Sequence, residues 1–330
     1  GFGGYKESGF GREGGKEGMR AYLRPEWELK LKSLGKAAAQ AKPKLFATDG
    51  IDRTAKLYVG GKQARPDGGY ARSVVNADGK LVGEVGEGNR KDIRNAVEAA
   101  RGALGWGSKT AHLRAQILYY MGENLDYRRN EFADRLREMT GASAGAAKKE
   151  VELSIERLFA FAGWADKYDG AVHNPPVRQM AVAMVEPIGV IGIAAPNDNP
   201  LLGAISLLAP SMAMGNTSVL IPSETAPLAM TDFYQILDTS DVPGGVVNIV
   251  TGVKDELTKT LAEHDGVDAM FYCGDAEGGK KVEQYSVHNL KQTWTNKGKA
   301  LDWTDREICE GEYFLERSTQ VKNVWVPYGA

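Results

Sequence analysis

Two cysteines, four histidines and a glycine-bearing strand-to-helix turn are the groups in this chain whose types and spacing could do chemistry. A thiol becomes a nucleophile only where its surroundings favour ionisation. Cys309 lies in Glu307-Ile308-Cys309-Glu310-Gly311-Glu312, and these flanking carboxylates push its thiol the other way, so no nucleophile is expected there. Cys273 ends an apolar run and reads as a small core hydrophobe. His112, His173, His264 and His288 have no His or Cys neighbour at metal-ligand spacing, so no metal is expected. Gly274 and Gly279 would let a phosphate approach the backbone closely, and Glu224 could accept from a ribose hydroxyl. The same glycines would serve merely to turn strand into helix, and a Glu opening a helix is stabilised by the helix dipole without any ligand.

Those residues depend on a framework that the periodicity outlines. Helical spacing joins Ile93, Ala96, Val97 and Ala100, then Leu113, Ile117, Leu118, Met121 and Leu125, then Phe132, Leu136 and Met139, and then Val151, Ile155, Leu158, Phe159 and Ala162. Ahead of them, Gly-Gly pairs at 60–61 and 68–69 and Ala-Asp-Gly at 77–79 punctuate β-prone runs over 57–85, which predicts hairpins. After Pro187, short apolar runs at 189–195, 217–221, 246–250, 267–272 and 290–295 alternate with helical segments beginning near Pro200, Pro227, Lys254 and Gly278. That alternation predicts an α/β fold, a Rossmann-like open parallel sheet with flanking helices. Right-handed crossovers collect the carboxyl ends of the strands on one edge, so 196–200, 221–224, 251–252 and 273–279 should line the crevice.

Composition narrows the partners. The 330 residues are 42% hydrophobic and 25% charged with a net charge of -2, which fits a soluble globular protein and leaves no basic footprint for nucleic acid. Two cysteines so far apart make no disulfide framework, which suits a reducing, cytoplasmic setting. The longest apolar stretch, Leu201 to Met214, is short for a bilayer crossing and contains Pro210, so no membrane span is expected. Residues 1–18 are too Gly-rich and charged to fold alone, and the chain opens Gly-Phe-Gly-Gly without Met or a signal sequence. It is expected to be a piece of something longer.

The crevice loops carry a family resemblance. Glu186-Pro187-Ile188-Gly189-Val190-Ile191-Gly192 with Pro196 and Pro200, Gly215-Asn216-Thr217 with Pro222-Ser223-Glu224, and Pro243-Gly244-Gly245-Val246-Val247-Asn248 with Thr251-Gly252 resemble, in order and spacing, motifs of the aldehyde dehydrogenase superfamily. Tyr58-Val59-Gly60-Gly61-Lys62, Ala99-Ala100-Arg101 with Trp106, and Met139-Thr140-Gly141 resemble its amino-terminal part. The likeness runs from residue 56 to about 300. A separate match, Phe2-Gly3-Gly4-Tyr5-Lys6 and Ser8-Gly9 with Gly11-Arg12-Glu13, is similar to the motif closing the superfamily's catalytic domain. The whole resembles aldehyde dehydrogenase family sixteen, whose members carry an extra carboxy-terminal aldehyde-dehydrogenase-like region. On that footing residues 1–24 are the tail of a preceding catalytic unit, 25–55 a linker, 56–302 a degenerate Rossmann-like unit, and 303–330 an oligomerisation strand or flap.

What the resemblance implies about chemistry is mostly loss. The family oxidises aldehydes with a nucleophilic Cys, a Glu base, an oxyanion-stabilising Asn and NAD(P). The Asn aligns with Asp198, whose carboxylate would repel an oxyanion. The ribose- or phosphate-holding Lys aligns with Ile221, and the Ser beside the pyrophosphate with Asp275. Two like charges about 4 Å apart repel by roughly 4 kcal/mol at an effective dielectric of about 20. The general-base Glu falls near Asn296, an amide that takes no proton at neutral pH. Ile221, Ser223, Glu224, Gly252, Gly274, Asp275 and Gly279 are then vestiges of a cofactor site, and no cofactor is expected to bind here, NAD belonging to the parent enzyme. Phe2 matches an aromatic lining the aldehyde channel of the preceding unit, or else anchors a loop. Fewer than twenty residues separate Lys299 from Ser318, no room for a catalytic domain, and the run from Ser318 to Gly329 resembles the superfamily's final oligomerisation strand. Its alternation predicts a strand that must pair with a separate segment, in the upstream catalytic unit or a second copy. The expected role is a non-catalytic assembly module of an NAD-dependent aldehyde dehydrogenase. The alternatives are a residual NAD(P)-binding oxidoreductase and a protein scaffold.

Overall fold

The computed structural model describes residues 2–35 and 52–328. Most of the expected linker, and Gly329 of the final strand, lie outside those residues. In chain order the elements begin with short helices α1 (Gly15–Arg20) and α2 (Glu26–Lys30), then strands β1 (Leu57–Val59), β2 (Lys62–Ala64), β3 (Ala71–Val75) and β4 (Leu81–Gly86). A helical block follows: α3 (Arg90–Gly102), α4 (Ala111–Tyr127), α5 (Arg129–Thr140) and α6 (Ala144–Trp164). Its boundaries have local causes. Asn89 and Asp92 form a reciprocal capping box on α3, Thr110 and Ser143 cap α4 and α6, and Gly141 ends α5 in the left-handed region at φ 71°.

Next come β5 (Ala171–His173), β6 (Gln179–Pro187), β7 (Val190–Ala194), α7 (Pro200–Ala213), β8 (Thr217–Ile221), α8 (Leu228–Asp232), α9 (Tyr234–Thr239), β9 (Val247–Ile249), α10 (Lys254–Glu263), β10 (Ala269–Tyr272), α11 (Ala276–Tyr285) and β11 (Gln292–Thr295). The chain closes with α12 (Arg306–Glu310), α13 (Glu312–Arg317) and β12 (Thr319–Pro327). Every residue of α7 is buried, as suits a helix apolar all round, packed between the sheet and the α4–α6 block. All five expected strands form near their predicted positions. α11 starts two residues ahead of the expected Gly278, because Asp275 caps it.

The main sheet has the order β11-β10-β7-β8-β9-β1-β2. Its β11 to β9 part is parallel, whereas β1 joins β9 antiparallel and β2 extends it. The sheet is therefore mixed, not purely parallel. Hairpins read in 57–85 do form: β1-β2 widens the main sheet, and β3-β4 stands as its own ribbon. From β7 the chain winds through β8 to β9, then returns to place β10 on the other side of β7. The topological switch point, where open α/β sheets bind ligands, lies between β7 and β10.

Three expectations need correction. The final strand does not wait for a separate segment: β12 pairs antiparallel with β6 of its own chain, from Thr319 opposite Pro187 to Pro327 opposite Gln179. β6 escaped the sequence reading because its inward positions, Ala181 and Ala183, are small residues with weak strand preference. Residues 303–318 are not flap but core, since Trp303, Ile308, Cys309, Phe314 and Leu315 are buried. Residues 26–35, assigned to the linker, also pack down: Trp27 meets Tyr313 edge-to-face, and Leu34 donates its amide to the Gly298 carbonyl at 2.7 Å.

Candidate functional site

The crevice at the switch point is built from the loops that follow β7, β8, β9, β10 and β11. After β7, Pro196-Asn197-Asp198-Asn199 turns into α7, with Asn199 in the left-handed region at φ 47°. The Asn197 carboxamide oxygen accepts from the Ser223 hydroxyl at 3.1 Å and from the Glu224 amide at 3.0 Å, tying this loop to the one after β8. Asp198 stands at the exposed lip. The surrounding protein still shields enough water to push its carboxyl upward, against the pull of the Lys254 ammonium. The α7 amides of Leu201 and Leu202 are met instead by Glu150 of α6, at 3.0 and 3.3 Å.

Ile221 is fully inside the sheet, 1% exposed, opposite Ala194. Where the resembled motif carries a cation, this chain has core. Glu224 does not open a helix, contrary to expectation. Its carboxylate accepts from Arg72 of β3 at 3.1 Å and from the Lys254 amide at 3.1 Å, so the acceptors that a ribose would need are engaged by the chain. Gly252, at φ 155°, packs against Gly88 and Leu257, where a Cβ would lie 2.9 Å from Leu257 Cδ1.

The loop after β10 is the expected phosphate cradle, and two of its amides, those of Gly274 and Gly278, are committed within the chain. Asn296 accepts the Gly274 amide at 3.0 Å and donates to the Lys299 carbonyl at 2.8 Å. Asp275 caps α11 by accepting from the Gly278 amide at 2.7 Å. Gly279 packs over Thr295, and Gly298, at φ 68°, comes so close to the first turn of α11 that a Cβ there would lie 2.6 Å from the Ala276 nitrogen. The Tyr272 hydroxyl is wedged between Gly274 and Gly278, where a Cβ on either glycine would collide with it.

Lys254 is the residue the sequence reading passed over, noted only as a helix start. It is 6% exposed, and its ammonium donates to the carbonyls of Ala195, just past β7, and of Cys273, just past β10, the latter at 2.6 Å. Burial lowers its pKa. A cation in the first turn of a helix opposes the dipole, and the Glu224 carboxylate at the same end of α10 compensates. That misplaced charge was the signal available in the sequence. Beside it, burial pushes the Cys273 thiol up to about 12, and Cys309 is wholly buried. Neither is placed to attack a substrate. Among the described residues no cluster of His, Cys, Asp and Glu could hold a metal.

The Gly274 and Gly278 amides, both Glu224 oxygens and the carbonyls at the switch point are thus engaged by the chain's own groups. Phe2 lies elsewhere, on the three-stranded sheet, where it is exposed and meets Trp325 edge-to-face at 6.2 Å. The segment around it docks there through Tyr5 to Glu186 and Arg12 to the Val321 carbonyl, and on α13 through Arg20 to Glu316 at 3.3 Å.

Comparison with known proteins agrees with the motifs. The sequence pattern of the aldehyde dehydrogenase family matches residues 62–299. Cytosolic 10-formyltetrahydrofolate dehydrogenase of Mus musculus is 30% identical over 251 residues, covering 72% of this chain and 27% of that protein. Betaine aldehyde dehydrogenase of Bacillus subtilis is 31% identical over 242 residues, covering 72% and 49%. The crystal structure of betaine aldehyde dehydrogenase from Staphylococcus aureus in complex with NAD+ superposes with a TM-score of 0.71 at 25% identity, over 73% of this chain and 49% of that one. The chain matches about half the length of the betaine aldehyde dehydrogenases and about a quarter of the formyltetrahydrofolate enzyme.

Proposed function

Since this chain belongs to the aldehyde dehydrogenase family, we propose that it is a non-catalytic assembly unit of an NAD-dependent enzyme whose chemistry is carried by another unit. The observation that carries this reading is the stretch between Lys299, where the family match ends, and Thr319, where β12 begins. In it the chain makes only α12 and α13, which bury Cys309, Phe314 and Leu315 against the core. Among the described residues neither cysteine is presented to the crevice, and on the family resemblance Asp198 aligns with the oxyanion donor while the base falls near Asn296, with no carboxylate in Thr295-Asn296-Lys297 to serve as one.

The surface kept for partners is the β12-β6-β5 sheet. β12 lies at its edge, and Val172, Met184, Val324, Trp325 and Val326 are exposed. An edge strand with apolar side chains invites pairing. Its partners on this reading are the preceding catalytic unit, whose tail is the docked segment 2–24, and a second copy that meets Ser318 to Gly329. Among the described residues no helix is long and apolar enough to cross a membrane, and we place the assembly in the cytosol.

Titration of the chain with NAD, together with sedimentation, tests the reading. It expects binding no tighter than about millimolar and a mass above that of one chain. A low-micromolar dissociation constant, or NAD reduction by this chain with any aldehyde, overturns it.

A further inference from the structure

On the reading proposed above the crevice holds no dinucleotide, and the geometry supplies a specific internal cause. In open α/β sheets the ligand lies outside the carboxyl ends of the strands at the switch point. Here the two strands flanking that point are β7 and β10, and the carbonyls just beyond their ends, those of Ala195 and Cys273, are bridged by one ammonium, that of Lys254. A buried ammonium needs partners on every side. It has the two carbonyls, the face of the Tyr272 ring 5.6 Å from the ring centre, and the nearby charges of Glu224, Asp255 and Asp198. Tyr272 in turn sends its hydroxyl into the space between Gly274 and Gly278, the space that makes such a loop able to receive a phosphate.

We propose that Lys254 and Tyr272 are the built-in occupants of the switch-point crevice and that they, ahead of the charge on Asp275, exclude dinucleotides from it. The proposal rests on the reading that this unit does no redox chemistry, and it names what keeps the ancestral ligand out. Asp275 alone is a weak gate, because its carboxylate is already turned back onto the Gly278 amide. Steric and hydrogen-bonding occupancy acts whatever the ionic strength, whereas a single carboxylate at the surface is screened by salt.

NAD titration of the full chain, D275S, D275S/Lys254→Ala and D275S/Tyr272→Phe tests it, with circular dichroism to verify folding. D275S should bind no better than the parent chain, and each double variant at least about tenfold more tightly than D275S. D275S gaining all the affinity by itself overturns the proposal, as do folded double variants that bind no better than D275S. If removing Lys254 unfolds the chain, the Tyr272→Phe pair decides, since that change deletes a single oxygen. Failure of the assembly reading would show in sedimentation instead, with no effect on this ranking.

Discussion

Arg72 of β3 and Glu224 beyond β8 form an ion pair at 3.1 Å with their side chains only 9% and 14% exposed. The pair pins the free-standing β3-β4 ribbon to the crevice wall, and the second Glu224 oxygen holds the first amide of α10.

Breaking that pair strands a buried charge, so Arg72→Met or Glu224→Gln should each cost about 3 kcal/mol in urea unfolding. Arg72→Met/Glu224→Gln together should cost less than the sum of the single changes. Additive losses would mean the two residues act independently.

Both thiols should resist a soluble thiol reagent in the native chain and react at once in denaturant. Cys273 is 2% exposed with its thiol pushed up to about 12, and Cys309 is 0% exposed. Rapid native labelling of Cys309, or loss of the parent enzyme's turnover on Cys309→Ala with folding intact, would contradict its placement in the core.

Lys291 sets a pH dependence. Burial lowers its pKa to about 8, and its ammonium donates to the carbonyls of Ala262 and His264. Between about 8 and the ordinary lysine value near 10.4 the unfolded chain holds more protons than the folded one. Its contribution to stability therefore rises with pH across that window and is least favourable below it. Chemical denaturation from pH 7.5 to 10 should show a steeper gain for the parent chain than for Lys291→Met, and equal slopes would refute the assignment.

Truncation after Gln320 removes most of β12 but keeps the Ser318 carbonyl that Asn216 binds at 2.7 Å. The Rossmann-like core should keep its helical signal while the sedimenting mass falls toward one chain. An unchanged mass would show that β12 serves β6 alone.

The sequence by itself determined the architecture of the crevice: the helices at 3.6-residue spacing, the five short strands, the order of loops, and the family to which those loops belong. These are local or nearest-neighbour properties, written in periodicity and in glycines and prolines at fixed offsets. It also marked Ile221 and Asp275 as departures, because a change of charge is visible without coordinates. Only the tertiary structure decided which groups meet in the crevice. Lys254 lies 59 residues from Ala195 and 19 from Cys273, and Arg72 lies 152 from Glu224, so nothing local announces that they meet. The same holds for β12, whose pairing runs from Thr319 opposite Pro187 to Pro327 opposite Gln179, on a strand that hides its pattern behind alanines. Which groups satisfy a buried charge or a strand edge depends on long-range packing, which no local pattern records.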